Sequence, residues 1–248
     1  MVRIGILGVR GRMGQAIAVA APEAGVAIAG GVDRDGFALN QHADAGALAR
    51  ASDVLIDFSA ADATLLHIAA AERAGTAIVI GTTGLTAEHH QAIDGAAARI
   101  AVLQTANTSL GVNLLSHLVE EAARRLGSDW DIEIVEMHHR HKLDAPSGTA
   151  LLLGAAANRG RGQPDGAALN EYDRSGARKP GGIYYASLRG GSVAGDHMVV
   201  LAGEGERVEL GHRAESRAIF ASGALKAAQW LAGKPAGRYT MADVLGLG

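Results

Sequence analysis

The stretch from His138 to Thr149 holds the side chains best suited to chemistry. Three imidazoles, one guanidinium and one ammonium precede a Pro-Ser-Gly-Thr turn. Histidine exchanges protons near neutral pH and is the commonest general acid or base in enzymes. Residues 150–157 predict a helix, so the backbone N–H groups of the turn point out of a helix N-terminus, where an anion binds well. The stretch therefore predicts proton donors beside a place for a carboxylate.

Two other interpretations of this stretch stay open from its residues alone. It fits a solvated basic loop in front of a capped helix. It also fits a zinc site, because histidine is the commonest metal ligand. However, the chain contains no cysteine, and adjacent histidines in an extended segment point to opposite faces. We therefore expect no metal.

The elements that position this stretch are a strand before it and the helix after it. The run 132–137 alternates apolar and acidic residues, which predicts a strand. Before it, 110–126 predicts an amphipathic helix. Residues 158–179 are rich in Gly, Asp and Arg and predict a mobile loop.

A glycine turn near the start of the chain predicts a nucleotide site. Gly8, Gly11 and Gly14 follow an apolar strand and precede a run of small helix formers, and Asp33 ends the next apolar run. Strand, glycine turn, helix, strand and acid is the order of a dinucleotide-binding unit. The glycines let the backbone approach a pyrophosphate, and the helix start supplies N–H groups. The alternative is a glycine-rich turn that carries no ligand.

The choice of nucleotide is ambiguous in this segment. Asp33 favours the ribose hydroxyls of NAD, whereas Arg34, Arg10 and Arg12 are placed to attract the additional phosphate of NADP. We expect NADH, NADPH or both as cofactor.

The first half of the chain predicts a parallel, doubly wound sheet of Rossmann type. Strands over 54–58, 77–80 and 100–103 alternate with helical segments. In such sheets ligands bind beyond the carboxyl ends of the strands. That edge gathers Gly8, Asp33, Phe58, Gly81 and Thr105 by this interpretation.

The second half predicts a different architecture. Residues 182–189, 192–202 and 207–213 predict antiparallel strands of an open-faced sheet. A last helix over 218–232 is expected to return to the first domain. We thus expect a dinucleotide-binding domain of 1–108 and 217–248, and a second α+β domain with an open mixed or antiparallel sheet over 109–216.

Composition limits the partners. The formal net charge is −3 over 248 residues, which gives no reason to expect a nucleic acid or a membrane surface as partner. The basic residues cluster locally, which suits a small anion. No apolar run reaches the ~18 residues that a membrane span needs. A strand beginning at Val2 leaves no room for a signal peptide, so we expect a cytoplasmic location.

Four motifs resemble one family closely. They are Gly8-x-x-Gly-Arg-Met-Gly, Gly81-Thr-Thr-Gly, Asn107-Thr-Ser-Leu-Gly-Val-Asn and Glu136-x-His-His-Arg-His-Lys-x-Asp-Ala-Pro-Ser-Gly-Thr-Ala. They resemble 4-hydroxy-tetrahydrodipicolinate reductase, also called dihydrodipicolinate reductase, over nearly the whole chain. The resemblance implies NAD(P)H-dependent reduction of a cyclic dicarboxylic imine, with loss of the ring hydroxyl as water, in lysine and diaminopimelate biosynthesis. It also implies a homotetramer.

The resemblance assigns roles position by position. His138 matches the general acid/base and Lys142 a second proton donor. The positions that match substrate-binding residues are His139, Lys142, Ser147, Gly148 and Thr149, to which we add Thr83. The positions that match cofactor-binding residues are Gly8, Val9, Arg10, Gly11, Arg12, Met13, Asp33, Arg34, Gly81, Thr82, Thr83, Thr105, Ala106, Asn107 and Thr108.

Two features depart from the family pattern. The segment between Arg34 and Ser52 is short, and Thr108 stands where Phe is frequent. Two other functions remain as alternatives. One is a related two-domain oxidoreductase, such as an amino-acid or semialdehyde dehydrogenase. The other is a regulatory protein that binds NAD(H) without turnover.

Overall fold

The structure is a computed structural model that describes residues 1–34, 38–40, 42–163, 170–173 and 175–247. The chain divides into two compact units. The first unit contains Met1–Leu110 and Ala218–Gly248, and the second contains Gly111–Arg217. In the short segment between Arg34 and Ser52, positions 35–37 and 41 lie outside the described residues.

The first unit is built on one seven-stranded sheet. Its strands are β1 (Arg3–Leu7), β2 (Ala27–Val32), β3 (Ala38–Leu39), β4 (Val54–Asp57), β5 (Ala77–Ile80), β6 (Ala101–Gln104) and β12 (Gly237–Tyr239). The order is β12-β6-β5-β4-β1-β2-β3. Six strands are parallel and the edge strand β3 is antiparallel. The predicted doubly wound sheet is confirmed. Strands β3 and β12 were not predicted, because two or three residues are too few to show a period.

Helices cover both faces of this sheet. They are α1 (Arg12–Ala20), α2 (Ala45–Ala51), α3 (Ala61–Ala74), α4 (Ala87–Ala97), α7 (Ala218–Leu231) and α8 (Met241–Leu245). Because side chains alternate along a strand, β1 contributes Ile4 and Ile6 to one apolar core and Leu7 to the other. The first core includes Leu225 of α7, and the second includes Ile68 of α3. The sheet is thus buried on both sides, as a parallel sheet requires.

The second unit carries a five-stranded mixed sheet. Its strands are β7 (Asp131–His138), β8 (Asn170–Glu171), β9 (Ile183–Arg189), β10 (Gly195–Gly203) and β11 (Glu206–Ala214), in the order β11-β10-β7-β9-β8. The helices α5 (Leu110–Leu126) and α6 (Gly148–Gly160) supply apolar side chains to the same core as β7 and β10. Among the described residues, no helix has the length and apolarity to cross a bilayer.

Three details of this unit correct the sequence prediction. Strand β9 pairs with β7 in parallel, not antiparallel, because helix α6 lies between them and returns the chain to the starting edge. Strand β10 begins at Gly195 rather than at residue 192. The predicted loop over 158–179 contains the end of α6 and strand β8, while 164–169 and 174 lie outside the described residues.

Candidate active site

The alternation of β7 brings two titratable side chains to one face of the second unit. Glu136 and His138 are two residues apart, so both point towards the helix-covered side, where they are 1% and 9% exposed. The Nδ1 atom of His138 lies 2.6 Å from Oε2 of Glu136. Because a carboxylate only accepts, Nδ1 is the protonated nitrogen. Nε2 is then the atom that takes up or releases a proton.

An arginine on the neighbouring strand holds the Glu136 carboxylate. Arg189 on β9 donates from Nη1 at 2.9 Å and from Nη2 at 2.8 Å, one bond to each carboxylate oxygen. Burial alone raises the pKa of the Glu136 carboxyl. Hydrogen bonds from Arg189, His138 and Ser187 outweigh burial and lower that pKa from 4.5 to about 2. Glu136 is therefore a fixed anion beside His138 at neutral pH.

The start of α6 is tied to the same carboxylate. Ser147 is the N-cap residue, and its Oγ accepts from the N–H of Ala150 at 3.1 Å. Its own N–H donates to Glu136 at 3.2 Å, and its Oγ lies 2.9 Å from Nε2 of His197. Burial, and then the nearby His138, lower the pKa of His197 to about 4. His197 is thus neutral at pH 7, and its ring meets that of His138 edge-on at 5.1 Å.

The positions of Ser147, Gly148 and Thr149 differ although they adjoin. Ser147 is buried, and both its N–H and its Oγ are used inside the unit. Gly148 is exposed and Thr149 is half-buried in the first turn of α6. The peptide bond before Pro146 is cis. At this helix start, Gly148 and Thr149 are therefore the accessible members of the turn, while Ser147 makes its hydrogen bonds inside the unit.

The residues after His138 form a cationic cleft. Nε2 of His139 lies 3.1 Å from the Arg217 guanidinium, and desolvation together with that charge lowers the pKa of His139. An open cleft of about 730 Å³ is lined by His139, Arg140, His141, Gly191, Ser192, Ala194 and Arg217.

Lys142 belongs to the same loop but has an acidic partner. Its Nζ lies 2.8 and 2.7 Å from the two carboxylate oxygens of Asp144. The hydrogen bond from Lys142 lowers the pKa of the Asp144 carboxyl. An ammonium has three N–H donors, so two bonds to Asp144 leave one for a ligand.

The glycine turn of the first unit has the geometry of a phosphate-binding turn. Gly8 has φ +79°, and its carbonyl accepts from the N–H of Gly11 at 3.0 Å. Gly11 is the N-cap of α1, so the helix begins at Arg12, whose side chain is exposed. A Cβ on Gly14 would collide with the backbone of Gly8 and Val9, and its absence lets α1 pack directly on the turn. This cradle and the N–H groups of a helix start fit the pyrophosphate of NAD(P)H.

Asp33 closes the turn from β2. Its Oδ2 accepts from the N–H of Arg10 and its Oδ1 from the N–H of Arg34, each at 2.9 Å. Each carboxylate oxygen has a second lone pair for a ribose hydroxyl. The other two residues of the predicted turn are buried or packed: Val9 is buried, and Met13 packs against the core.

The remaining predicted cofactor residues follow β5 and β6 at the same carboxyl edge. Thr82 is buried and its Oγ1 donates to Asp57 at 3.1 Å, whereas Thr83 is exposed. The Oγ1 of Thr105 bonds with the carbonyl and the N–H of Asn107 at 2.7 and 3.1 Å, and Ala106 is exposed.

The Thr108 side chain has a partner within the first unit. Thr108 is buried, and its Oγ1 donates to the carbonyl of Phe220 at 2.7 Å. The Thr108 hydroxyl therefore points into the first unit. Phe, which is frequent at this position in the family pattern, has no hydroxyl and could not make this hydrogen bond.

Three residues of the site, Glu136, Arg189 and His197, have no role predicted from the sequence. The signal for Glu136 was present, because a period of two puts it on the same face as His138. Arg189 is 53 residues away from Glu136 along the chain. His197 lies directly opposite Glu136 where β10 pairs with β7. Because both neighbours depend on strand pairing, no local pattern points to them.

Among the described residues, no group of three or more His, Asp or Glu side chains could hold a metal ion.

These two units define a class. A Rossmann-type unit with a glycine turn at a helix start, in one chain with an α+β unit that carries a buried carboxylate–histidine pair, has the build of a two-domain oxidoreductase that uses a nicotinamide nucleotide.

Comparison with known proteins identifies the family. Family models of the N-terminus and the C-terminus of dihydrodipicolinate reductase match residues 2–108 and 111–245. The chain is 60% identical over 248 residues to 4-hydroxy-tetrahydrodipicolinate reductase of Zymomonas mobilis, covering 99% of this chain and 98% of that protein. It is 49% identical to the enzyme of the same name from Acidiphilium cryptum, with coverage of 99% and 98%. The chain belongs to the dihydrodipicolinate reductase family, an NAD(P)H-dependent oxidoreductase family, which confirms the resemblance.

Solved structures agree on the fold. Dipicolinate-bound dihydrodipicolinate reductase from Paenisporosarcina sp. TG-14 superposes with a TM-score of 0.73 at 21% identity, over 97% of each chain. A DAP dehydrogenase of C. glutamicum in complex with DAP gives a TM-score of 0.55 at 13% identity, covering 97% of this chain and 92% of that one.

Proposed function

We propose that this chain reduces 4-hydroxy-tetrahydrodipicolinate to tetrahydrodipicolinate with loss of water, using NAD(P)H, in the biosynthesis of lysine and diaminopimelate. The observation that carries the residue assignment is the Glu136–His138 pair, 2.6 Å apart and buried at the start of α6. The names of the relatives support the reaction. A regulatory protein that binds NAD(H) without turnover would not need such a buried carboxylate–histidine pair.

The proton that balances the hydride is assigned to His138, with Lys142 as second donor. NAD(P)H supplies a hydride when bound. Saturating a conjugated ring imine also takes up one proton, while the ring hydroxyl leaves as water together with a proton from the adjacent ring carbon. Protonated His138 donates from Nε2, because Nδ1 is held by Glu136. Neutral His197, the neighbouring ring, does not compete for that role at pH 7, since its pKa is about 4.

The two carboxylates of the substrate are assigned to the helix start and the cationic loop. The exposed Gly148 and the half-buried Thr149 offer donors at the N-terminus of α6. Lys142 has one N–H donor beyond its two bonds to Asp144, and His139 with Arg217 extends the positive region.

Two further positions complete this assignment. Ser147 supports the helix start, and Thr83 remains a candidate contact from the first unit. The dipicolinate bound to the Paenisporosarcina reductase is a planar dicarboxylate of related shape.

The two units take different roles in this proposal. Residues 1–108 and 217–248 form the dinucleotide-binding domain, and 109–216 form the substrate-binding and oligomerisation domain of a homotetramer. Both NADH and NADPH serve, because the Asp33 carboxylate favours ribose hydroxyls whereas the charge of the neighbouring Arg34 favours the additional phosphate of NADPH. The enzyme acts in the cytoplasm, where its pathway is expected.

A coupled assay tests the proposal. Freshly formed 4-hydroxy-tetrahydrodipicolinate is supplied with NADH or NADPH, and the loss of absorbance at the reduced nicotinamide band is followed. Turnover with this substrate, and none with amino acids or semialdehydes, is the expected result. Nucleotide binding without turnover would instead favour the sensor.

A further inference from the structure

A hydrogen-bonded cluster in the first unit contains three residues without an assigned role, together with Thr82 from the predicted cofactor set. It consists of Asp57, Ser59, His67 and Thr82, and we refer to it as the Asp57 cluster. The Asp57 carboxylate is fully buried at the end of β4. Its Oδ1 accepts from the N–H of Ser59 at 2.9 Å, from Oγ of Ser59 at 2.6 Å and from Oγ1 of Thr82 at 3.1 Å. Its Oδ2 accepts from Nδ1 of His67 at 2.9 Å.

The cluster is not a nucleophilic triad. In such a triad the carboxylate and the hydroxyl bind opposite nitrogens of the imidazole. Here Ser59 and Asp57 both lie at Nδ1 of His67, at 3.3 and 2.9 Å. The Asp57 carboxylate accepts hydrogen bonds both from Nδ1 of His67 and from the Ser59 hydroxyl. His67 therefore has no free nitrogen facing Ser59 and cannot activate it as a base. The cluster therefore serves position rather than bond making.

What the cluster positions is the carboxyl edge of the sheet. It joins the turn after β4 to the turn after β5, which contains the predicted cofactor residues 81–83. The N–H of Gly81 also donates to the carbonyl of Asp57 at 2.9 Å. On the other side, a Cβ on Gly8 would lie 2.9 Å from the Phe58 carbonyl and 3.0 Å from Cα of Ser59. Ser59 thus lies directly against the glycine turn.

The direction of these hydrogen bonds determines what Ser59 offers. Its hydroxyl donates a hydrogen bond to Asp57, so Oγ can offer a ligand only its lone pairs, as an acceptor. Ser59 is half-buried, whereas Thr82 is almost completely covered. We infer that Ser59 Oγ accepts a hydrogen bond from a donor on the nicotinamide nucleotide, a ribose hydroxyl or an amide N–H. Asp57 and His67 are its positioning residues. The inference rests on the proposed binding of NAD(P)H at this edge.

Direct binding of NADH, followed by titration calorimetry, tests the inference. Ser59→Ala should raise the Kd for NADH about tenfold, and Ser59→Thr, which keeps the acceptor, should stay within about threefold of the unaltered protein. Asp57→Ala should weaken binding similarly. The double variant should be no weaker than the weaker single variant, since Asp57 acts through Ser59.

Thr76→Val is the matched control for a lost buried hydrogen bond. The Thr76 hydroxyl is buried and donates to the carbonyl of Ala49 at 2.8 Å, just before β5 and hence at the opposite end of that strand. This variant should lower Tm but leave the Kd for NADH within about twofold. If Asp57→Ala does not fold, the two Ser59 variants decide the matter.

Three results would overturn the inference. They are unchanged NADH binding in Ser59→Ala, equal weakening in Ser59→Thr and Ser59→Ala, or losses of affinity that follow Tm in every variant including Thr76→Val. Each of these leaves the proposed function standing, because the unaltered protein still binds NADH. Failure of the unaltered protein to bind NADH or NADPH would instead remove both proposals.

Discussion

Replacing Glu136 by Gln isolates the charge of the buried carboxylate while keeping its size. Glu136 accepts two bonds from Arg189, one from His138 and one from the N–H of Ser147. The amide has one acceptor oxygen and one NH₂ group. Whichever way it is turned, an N–H faces a donor of Arg189 and the negative charge is absent. When its NH₂ occupies the place of Oε2, the proton on Nδ1 of His138 also loses its acceptor.

The cost to stability follows from the pKa of Glu136. A fall from 4.5 to about 2 corresponds to about 3 kcal/mol, at about 1.4 kcal/mol per unit. Because the folded pKa is the lower one, this stabilisation is present above pH 4.5 and is lost as the pH falls towards 2. Glu136→Gln should therefore lower the free energy of unfolding at pH 7 by up to about 3 kcal/mol, measured by urea denaturation.

The cost to turnover follows from the tautomer of His138. Without a carboxylate at Nδ1, the ring is free to carry its proton on either nitrogen, and Nε2 is no longer the assured donor. A positioned general acid contributes ~10²–10⁴-fold, so kcat should fall within that range. The Kd for NADH should stay within about twofold, since Glu136 belongs to the second unit.

The matched control is Glu133→Gln on the same strand. Glu133 lies on the opposite face of β7 and forms an ion pair with Arg178. The Glu133→Gln variant should have a lower free energy of unfolding but an unchanged kcat. An unchanged kcat in both variants would refute the role assigned to Glu136. A fall of kcat that follows the loss of stability in both variants would refute it as well.

Three further predictions follow from the same geometry. NADH and NADPH should give kcat/KM values within roughly tenfold of each other, or about 1.4 kcal/mol, because Asp33 and Arg34 favour opposite nucleotides; a thousandfold preference in steady-state kinetics would contradict this. Pyridine-2,6-dicarboxylate should inhibit competitively, and Thr149→Val should raise its inhibition constant by removing a hydroxyl at the start of α6; an unchanged constant would place the anion elsewhere. Folding lowers the pKa of His197 from 6.5 to about 4, so on acidification the unfolded chain takes up this proton at a higher pH than the folded chain. Stability should therefore decline as the pH falls from 6.5 to 4. His197→Gln should flatten that decline in urea denaturation, and an equal slope would count against a buried neutral ring.

The sequence predicts the first unit better than the second for a physical reason. Rossmann strands are buried on both faces, so runs such as 77–80 are continuous and apolar, and the glycine that follows, Gly81 in this case, marks the turn. The carboxyl edge that collects Gly8, Asp33 and Gly81 then follows from the topology of the sheet. The Asp57 cluster does not follow from this topology, because the hydrogen bond between Asp57 and His67 depends on how α3 is rotated about its own axis.

The second unit depends on pairings that no local pattern encodes. Strand β9 returns parallel to β7, which brings Arg189 to Glu136 across 53 residues. The bond between Ser147 and His197 spans 50 residues. The chemistry of 138–149 is visible in the sequence because those side chains are consecutive. The residues that orient them are distant in sequence and become visible only in the fold.

The kinetics of His138→Ala and Lys142→Ala, with NADH titration beside them, test the central claim most directly. Each variant should lower kcat by ~10²–10⁴-fold, as loss of a general acid does, while NADH binding stays nearly unchanged; Lys142→Ala should also raise the KM of the dicarboxylate. His139→Ala is the control, since His139 contacts Arg217 rather than Glu136, and it should raise KM more than it lowers kcat. If the His138 and Lys142 variants both keep the kcat of the unaltered protein, the proton does not come from this stretch and the account of the site is wrong.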